Sequence, residues 1–209
     1  MSTHHVACTL LSACLAASVA YGAEPARGPI VGDVYTNCEY RVAADFPAEP
    51  MVRDFTYQTG AHIAPAREFY VDTENGKLSV TVVHFPGGPD EDRSLLDEAA
   101  VELRQRGEVR FESEVAYDDP LVPGRQFNIV LADGRILRAH TYVARQRLYL
   151  TEAISTPNDS SAFRFEQSVS FIDENGTDLD SNPVVPGTII GTSAGLPSRQ
   201  YDCARLQAH

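Results

Sequence analysis

Hydrophobic and polar positions alternate with a period of two through most of residues 37–155, the spacing of half-buried strands rather than helices. The densest run of β-branched and aromatic residues lies between Ile136 and Ile154. It is entered through Asp133-Gly134 and reads as a central hairpin. Slipping a strand by one residue exchanges its two faces, so burial constrains the register. With a two-residue turn at Arg145-Gln146, the residues Leu137, Ala139, Thr141 and Val143 share a nearly apolar face with Leu148, Leu150, Glu152 and Ile154. The opposite face then carries Ile136, Arg138, His140, Tyr142, Tyr149, Thr151 and Ala153, a mixed surface of large hydrogen-bonding groups. A type I′ turn favours Gly or Asn, and neither is present; a three-residue loop would set Arg138 opposite Glu152.

The same alternation predicts strands over residues 37–44, 51–58, 67–72, 77–85, 109–117 and 125–131. Glu74-Asn75-Gly76 marks a hairpin turn, and residues 77–85 are apolar on both faces toward their end, as in a central strand covered on both sides. Helical spacing occurs twice. Leu96, Ala99, Ala100 and Leu103 predict a helix over 94–106, with Gly107 as its cap; Ala162, Phe165, Val169 and Ile172 predict a second one started by residues 157–160. The fold class is therefore α+β, a single antiparallel β-sheet with helices packed against it. Beyond Asp173 no period survives, and Gly and Pro recur, so residues 174–209 read as an extended C-terminal tail.

The N-terminus changes the picture. Residues 1–23 hold an apolar run from Val6 to Ala20 that ends in Ala20-Tyr21-Gly22-Ala23, the pattern of an export signal cleaved after Ala20 or Gly22. Residues 24–36 then have linker composition, and residues 37–173 form the domain. Leu11-Ser12-Ala13-Cys14 resembles a bacterial lipobox, which would leave a lipid anchor at Cys14, although the apolar run continues through it. The run is too short for a membrane anchor, and no transmembrane helix is expected in the mature chain. A periplasmic or extracellular location follows, with a lipid-anchored form in the cell envelope as the alternative. Cys38 and Cys203 remain after cleavage, and an even pair in an exported protein reads as a disulfide.

Charge excludes some partners. The formal net charge of −12 disfavours nucleic acid and anionic membrane surfaces. Lys77 is the only lysine, and its place beside Asn75-Gly76 is explained by the turn.

The chemical motifs are weak. Gly191-Thr192-Ser193-Ala194-Gly195 matches a nucleophile elbow, followed by Asp202 and His209 in hydrolase order, but Pro197 spoils the helix that the motif requires. Acidic clusters at residues 90–92, 118–119 and 173–180 suggest calcium, yet the last has its Gly in the fourth position rather than the sixth of an EF-hand loop, and turn roles explain them better. The sequons at Asn158 and Asn175 matter only in a eukaryotic secretory pathway. His62, His84 and His140 lack a second ligand at metal-binding spacing, so no metal or cofactor is expected. Glu152 faces apolar neighbours in either register. It is a buried-carboxylate candidate that must find a partner, such as Arg138, or rise in pKa.

One resemblance adds to this reading. Phe46-Pro47-Ala48-Glu49-Pro50 after a first strand, Arg147-Leu148-Tyr149 after a tight hairpin, and Ala162-Phe163 through Ser168-Val169-Ser170-Phe171 resemble the PsbP-like domains and their bacterial secreted relatives. The resemblance covers about residues 38–173. It implies an antiparallel sheet sandwiched by helices and an accessory or binding role, and it carries over no catalytic residue. The expected function is non-catalytic binding of a protein or small-molecule ligand, with Arg138, His140, Tyr142 and Tyr149 as the candidate ligand face. The alternative is a small periplasmic, hydrolase-like enzyme using Glu152 with His140 or His84.

Overall fold

The computed structural model describes residues 34–60, 62–88, 93–117, 122–179, 200–201 and 203, together with the backbone of 24–25 and 30–31. The export signal with Cys14, the Gly191 to Gly195 motif with Asp202 and His209, and the acidic residues 90–92, 118–119 and 180 lie outside these residues.

Among the described residues, twelve strands and two helices follow in the order β1 (Glu24–Pro25), β2 (Ile30–Val31), β3 (Val34–Asn37), β4 (Val42–Ala44), β5 (Met51–Thr59), β6 (His62–Thr73), β7 (Gly76–His84), α1 (Arg93–Arg104), β8 (Gly107–Tyr117), β9 (Val122–Leu131), β10 (Ile136–Ala144), β11 (Arg147–Ser155), α2 (Ser161–Ser168) and β12 (Ser170–Phe171). An eight-stranded antiparallel sheet has the order β1-β5-β6-β7-β11-β10-β9-β8, and a four-stranded sheet the order β12-β4-β3-β2. The α+β class holds, but the single sheet expected from the alternation is two.

The second sheet arises inside residues 37–44. The Asn37 side chain accepts a hydrogen bond from the Tyr40 backbone at 3.0 Å, and Arg41 turns into the left-handed region at φ 58. The chain therefore folds back on itself, and β3 and β4 pair as a hairpin. Its first strand starts inside the segment read as linker, with Tyr35 buried. Packing explains why a second sheet is needed. Phe69, Val80, Val82 and Tyr149 are almost fully buried on one face of the large sheet. The eight-residue α2 spans only about 12 Å at 1.5 Å per residue, too short to cover that face alone. The small sheet covers the rest through Tyr35, Val42 and Phe171.

The other face is covered by α1, whose Leu95, Leu96, Ala99, Ala100 and Leu103 are buried against Leu148, Leu150, Leu137 and Ile129. The helix ends at Arg104 instead of Arg106, and Gly107 opens β8 rather than capping it. In the hairpin of β10 and β11, Val143 pairs with Leu148, Ala139 with Glu152 and Leu137 with Ile154. The two-residue turn is therefore the one formed, with Arg145 and Gln146 at φ 49 and 62.

The tail is not free from residue 174 onward. Leu179 is buried, Asp178 bridges Ile172, and the Tyr201 amide donates to the Gly176 carbonyl at 2.8 Å. Cys203 is disulfide-bonded to Cys38, 165 positions away. The acidic cluster after Ile172 serves as a turn: Asp173 Oδ1 accepts the Asn175 and Thr177 amides, both at 2.8 Å, and Asp178 accepts the Tyr117 hydroxyl at 2.7 Å.

Candidate functional site

Strand alternation sends Arg138, His140 and Tyr142 of β10 to the face that α2 and β12 cover. Glu166 projects from α2 into the middle of them. It accepts from Arg138 Nε through one oxygen and, through the other, from Gln126 Nε2 at 2.9 Å, with His140 Nε2 at 3.3 Å. The Glu166 side chain is 3% exposed, so this carboxylate is paired rather than solvated. Burial holds the His140 imidazole below its ordinary pKa, against the Glu166 carboxylate and reinforced by the Arg138 guanidinium. Arg138 also lies 5.3 Å from the centroid of the exposed Phe163 ring.

Helix cover thus turns most of the expected ligand face into interior. Tyr149 is 2% exposed and packs 4.5 Å from Phe171 between ring centroids, and Tyr142 lies 5.1 Å from the same ring. Glu152 is on the α1 face and only partly buried. Its partner is Arg106, not Arg138. His140 pairs with Thr151, and His84 with Arg147, so both histidines stand on the face opposite Glu152. The structure assembles neither expected dyad.

The same face opens where the small sheet ends. An open cleft of about 440 Å³ lies between the turn at residues 38–41 and the ends of β5, β6, β7 and β11. Tyr40 and Glu39 line it from the turn, Arg67, Val82 and Pro65 from the sheet, and His84 and Arg147 face it from paired positions. Arg67 is held by Asp54 through contacts of 2.5 and 2.7 Å, and its guanidinium lies 4.7 Å from the Tyr40 ring centroid. That pairing lowers the Asp54 carboxyl and raises Arg67 further, while burial pushes the Tyr40 phenol up. Burial, then Arg147, then Arg41 hold His84 below the ordinary imidazole value, so it is neutral at pH 7.

Arg147 differs from its neighbour Arg67. Its Nη2 donates to the Glu39 carbonyl at 3.1 Å, its side chain also hydrogen-bonds the Tyr149 hydroxyl, and no carboxylate pairs with it among the described residues. The turn that supplies Glu39 and Tyr40 begins at Cys38, so the disulfide to Cys203 anchors the cleft's roof.

Family models, characterised proteins and solved structures show no match to this chain. Among the described residues no group of acidic, His or Cys side chains has the arrangement of a metal site, and no helix is long and apolar enough to cross a membrane.

Glu166 and the cleft escape the sequence reading for different reasons. Glu166 follows Phe165 in a short amphipathic helix, where a carboxylate reads as the solvated side. Its position four residues after buried Ala162 was the available signal. His84 and Arg147 meet only because β7 and β11 are neighbours, which no local pattern reveals.

Proposed function

We propose that this is an exported, non-catalytic binding protein of the cell envelope, related in architecture to PsbP-like domains, whose ligand site is the cleft under Tyr40. The observation that carries this reading is the cleft itself, in which the Tyr40 ring and Pro65 stand beside convergent polar groups, Arg67, His84 and Arg147, a combination found in small-molecule sites. The sheet lying between α1 and α2 supports the PsbP-like likeness. The Cys38–Cys203 disulfide supports export.

Binding fits the described residues better than catalysis, because His140 and Glu166 are enclosed in a saturated cluster and Glu152 faces away from both candidate histidines. A ligand-observed NMR screen of fragments tests the reading. Hits on the wild type should be lost in His84→Trp, whose larger ring fills the cleft; hits that bind this variant unchanged would reject the cleft as the site. Export is tested separately by N-terminal sequencing of protein from its own host, which should begin at Tyr21 or Ala23. An intact Met1 in soluble cytoplasmic protein would reject it, and an acylated Cys14 would move the protein to a lipid anchor.

A further inference from the structure

Two open grooves among the described residues hold Arg125, Arg67 and Arg147 differently. In the groove of about 430 Å³ beside β8 and β9, Arg125 is already held by Asp97 and Glu112. In the cleft under Tyr40, Arg67 is likewise saturated by Asp54. Arg147, in the same cleft, has no carboxylate against it among the described residues. Its half-buried guanidinium lines the cleft, so its charge is unbalanced there.

The surroundings add positive potential in an acidic protein. Arg41 and Arg145 stand at the same end of the sheet and share one carboxylate, Glu174, at 3.6 and 3.2 Å. His84 faces Arg147 across the strand pair and offers an N–H beside it. One anionic group with two acceptor oxygens fits this end of the cleft. The rest of the lining combines Pro65, Val82 and the Tyr40 ring with Glu39 and the Asp54–Arg67 pair.

We propose that the cleft binds a small organic carboxylate, its carboxylate group against Arg147 and His84 and its apolar body along Pro65 and the rim formed by Tyr40. The proposal rests on the cleft being the ligand site. Guanidinium pairs with carboxylates through two parallel N–H donors, which makes Arg147 the specificity-determining residue and His84 a secondary donor. Glu39 and Asp54 on the rim disfavour dianions.

Calorimetry on the mature, oxidised protein decides it, with benzoate, benzamide and benzylammonium as probes. Benzoate should bind at least about tenfold more tightly than benzamide, a difference of about 1.4 kcal/mol, and benzylammonium more weakly than either. Arg147→Gln should reduce benzoate affinity by a similar factor with benzamide unchanged, whereas Arg125→Gln in the other groove should change nothing. Equal binding of benzoate and benzamide by the wild type would overturn the carboxylate inference while leaving the cleft as the site, and this comparison stands even if Arg147→Gln fails to fold. Benzoate binding that survives Arg147→Gln in folded protein would overturn it equally. Benzoate preference that persists in His84→Trp would overturn the cleft reading itself, and absence of binding by all three probes would reject the proposed ligand class.

Discussion

Arg138 on β10 and Glu166 on α2, 28 positions apart in the chain, form one ion pair beneath the helix, with the Arg138 side chain 26% and the Glu166 side chain 3% exposed. Deleting the carboxylate leaves a guanidinium and an imidazole facing each other without an acceptor. Glu166→Ala should therefore destabilise the fold by about 3 kcal/mol, the lower end of the range for breaking a buried pair because Arg138 reaches solvent. Glu166→Gln, which keeps the shape, should lose about half of that. Urea denaturation measures both, and a loss under about 0.5 kcal/mol for the alanine variant would show that the cluster is not integral to the core.

The imidazole in that cluster sets a pH dependence. Because burial holds His140 below its ordinary value, the unfolded chain takes up the proton first as pH falls. Its contribution is complete above the unfolded pKa of about 6.5 and is lost as pH drops from there toward the folded value. His84 is displaced in the same direction. The depressed carboxyls Asp54, Glu112 and Asp173 act only at lower pH, so the interval from 7 to 5 reports mainly on histidines. The melting temperature should fall across that interval, and less steeply in His140→Gln. A rising temperature, or identical slopes for both proteins, would contradict the assignment.

The disulfide acts on the turn and the tail together. Closing so long a loop is worth about 5 kcal/mol in the chain-entropy model, and measured values for native bonds are commonly about 2–5. Cys203→Ser should lower stability within that range, because Cys203 is buried at 3% exposed, and should leave the large sheet and both helices folded. Limited proteolysis should then cut in residues 180–200 faster than in the wild type; equal protection would mean that packing alone holds the tail.

Gly176 tests the same docking by sterics. It adopts φ +84, and a Cβ there would collide with the Tyr201 carbonyl and lie 2.9 Å from Cys203 Sγ. Gly134 adopts φ +85 with nothing within 4 Å. Gly134→Ala should cost about 1 kcal/mol, the left-handed backbone penalty, and Gly176→Ala distinctly more, with slower disulfide formation. Equal costs in denaturant titration would remove the docking of the tail on this turn.

The fold was legible where burial enforces alternation. Leu137 to Val143 against Leu148 to Ile154 favours the register of the two-residue turn, the one that formed, over that of a three-residue loop, and the Leu96 to Leu103 stripe permits one helix face. The small sheet was hidden because residues 37–44 alternate as one strand would, and only the Asn37 side chain and the left-handed Arg41 divide them. The site was less legible. His140, Arg138 and Tyr149 were on the expected face, but whether a face is open depends on what packs over it, and α2 and Phe171 close this one. Arg147 and His84 stood in the sequence as a strand residue and an isolated histidine. Their meeting is a property of strand order.

The most direct test is a map of backbone amide shifts in the mature, oxidised protein as benzoate is added. Saturable shifts should concentrate at Glu39 to Arg41, Asp54, Arg67, His84 and Arg147, and should need about tenfold more benzoate in Arg147→Gln. Shifts centred on α1 or on the Arg138 and Glu166 cluster, or no saturable shifts at millimolar benzoate, would contradict the account.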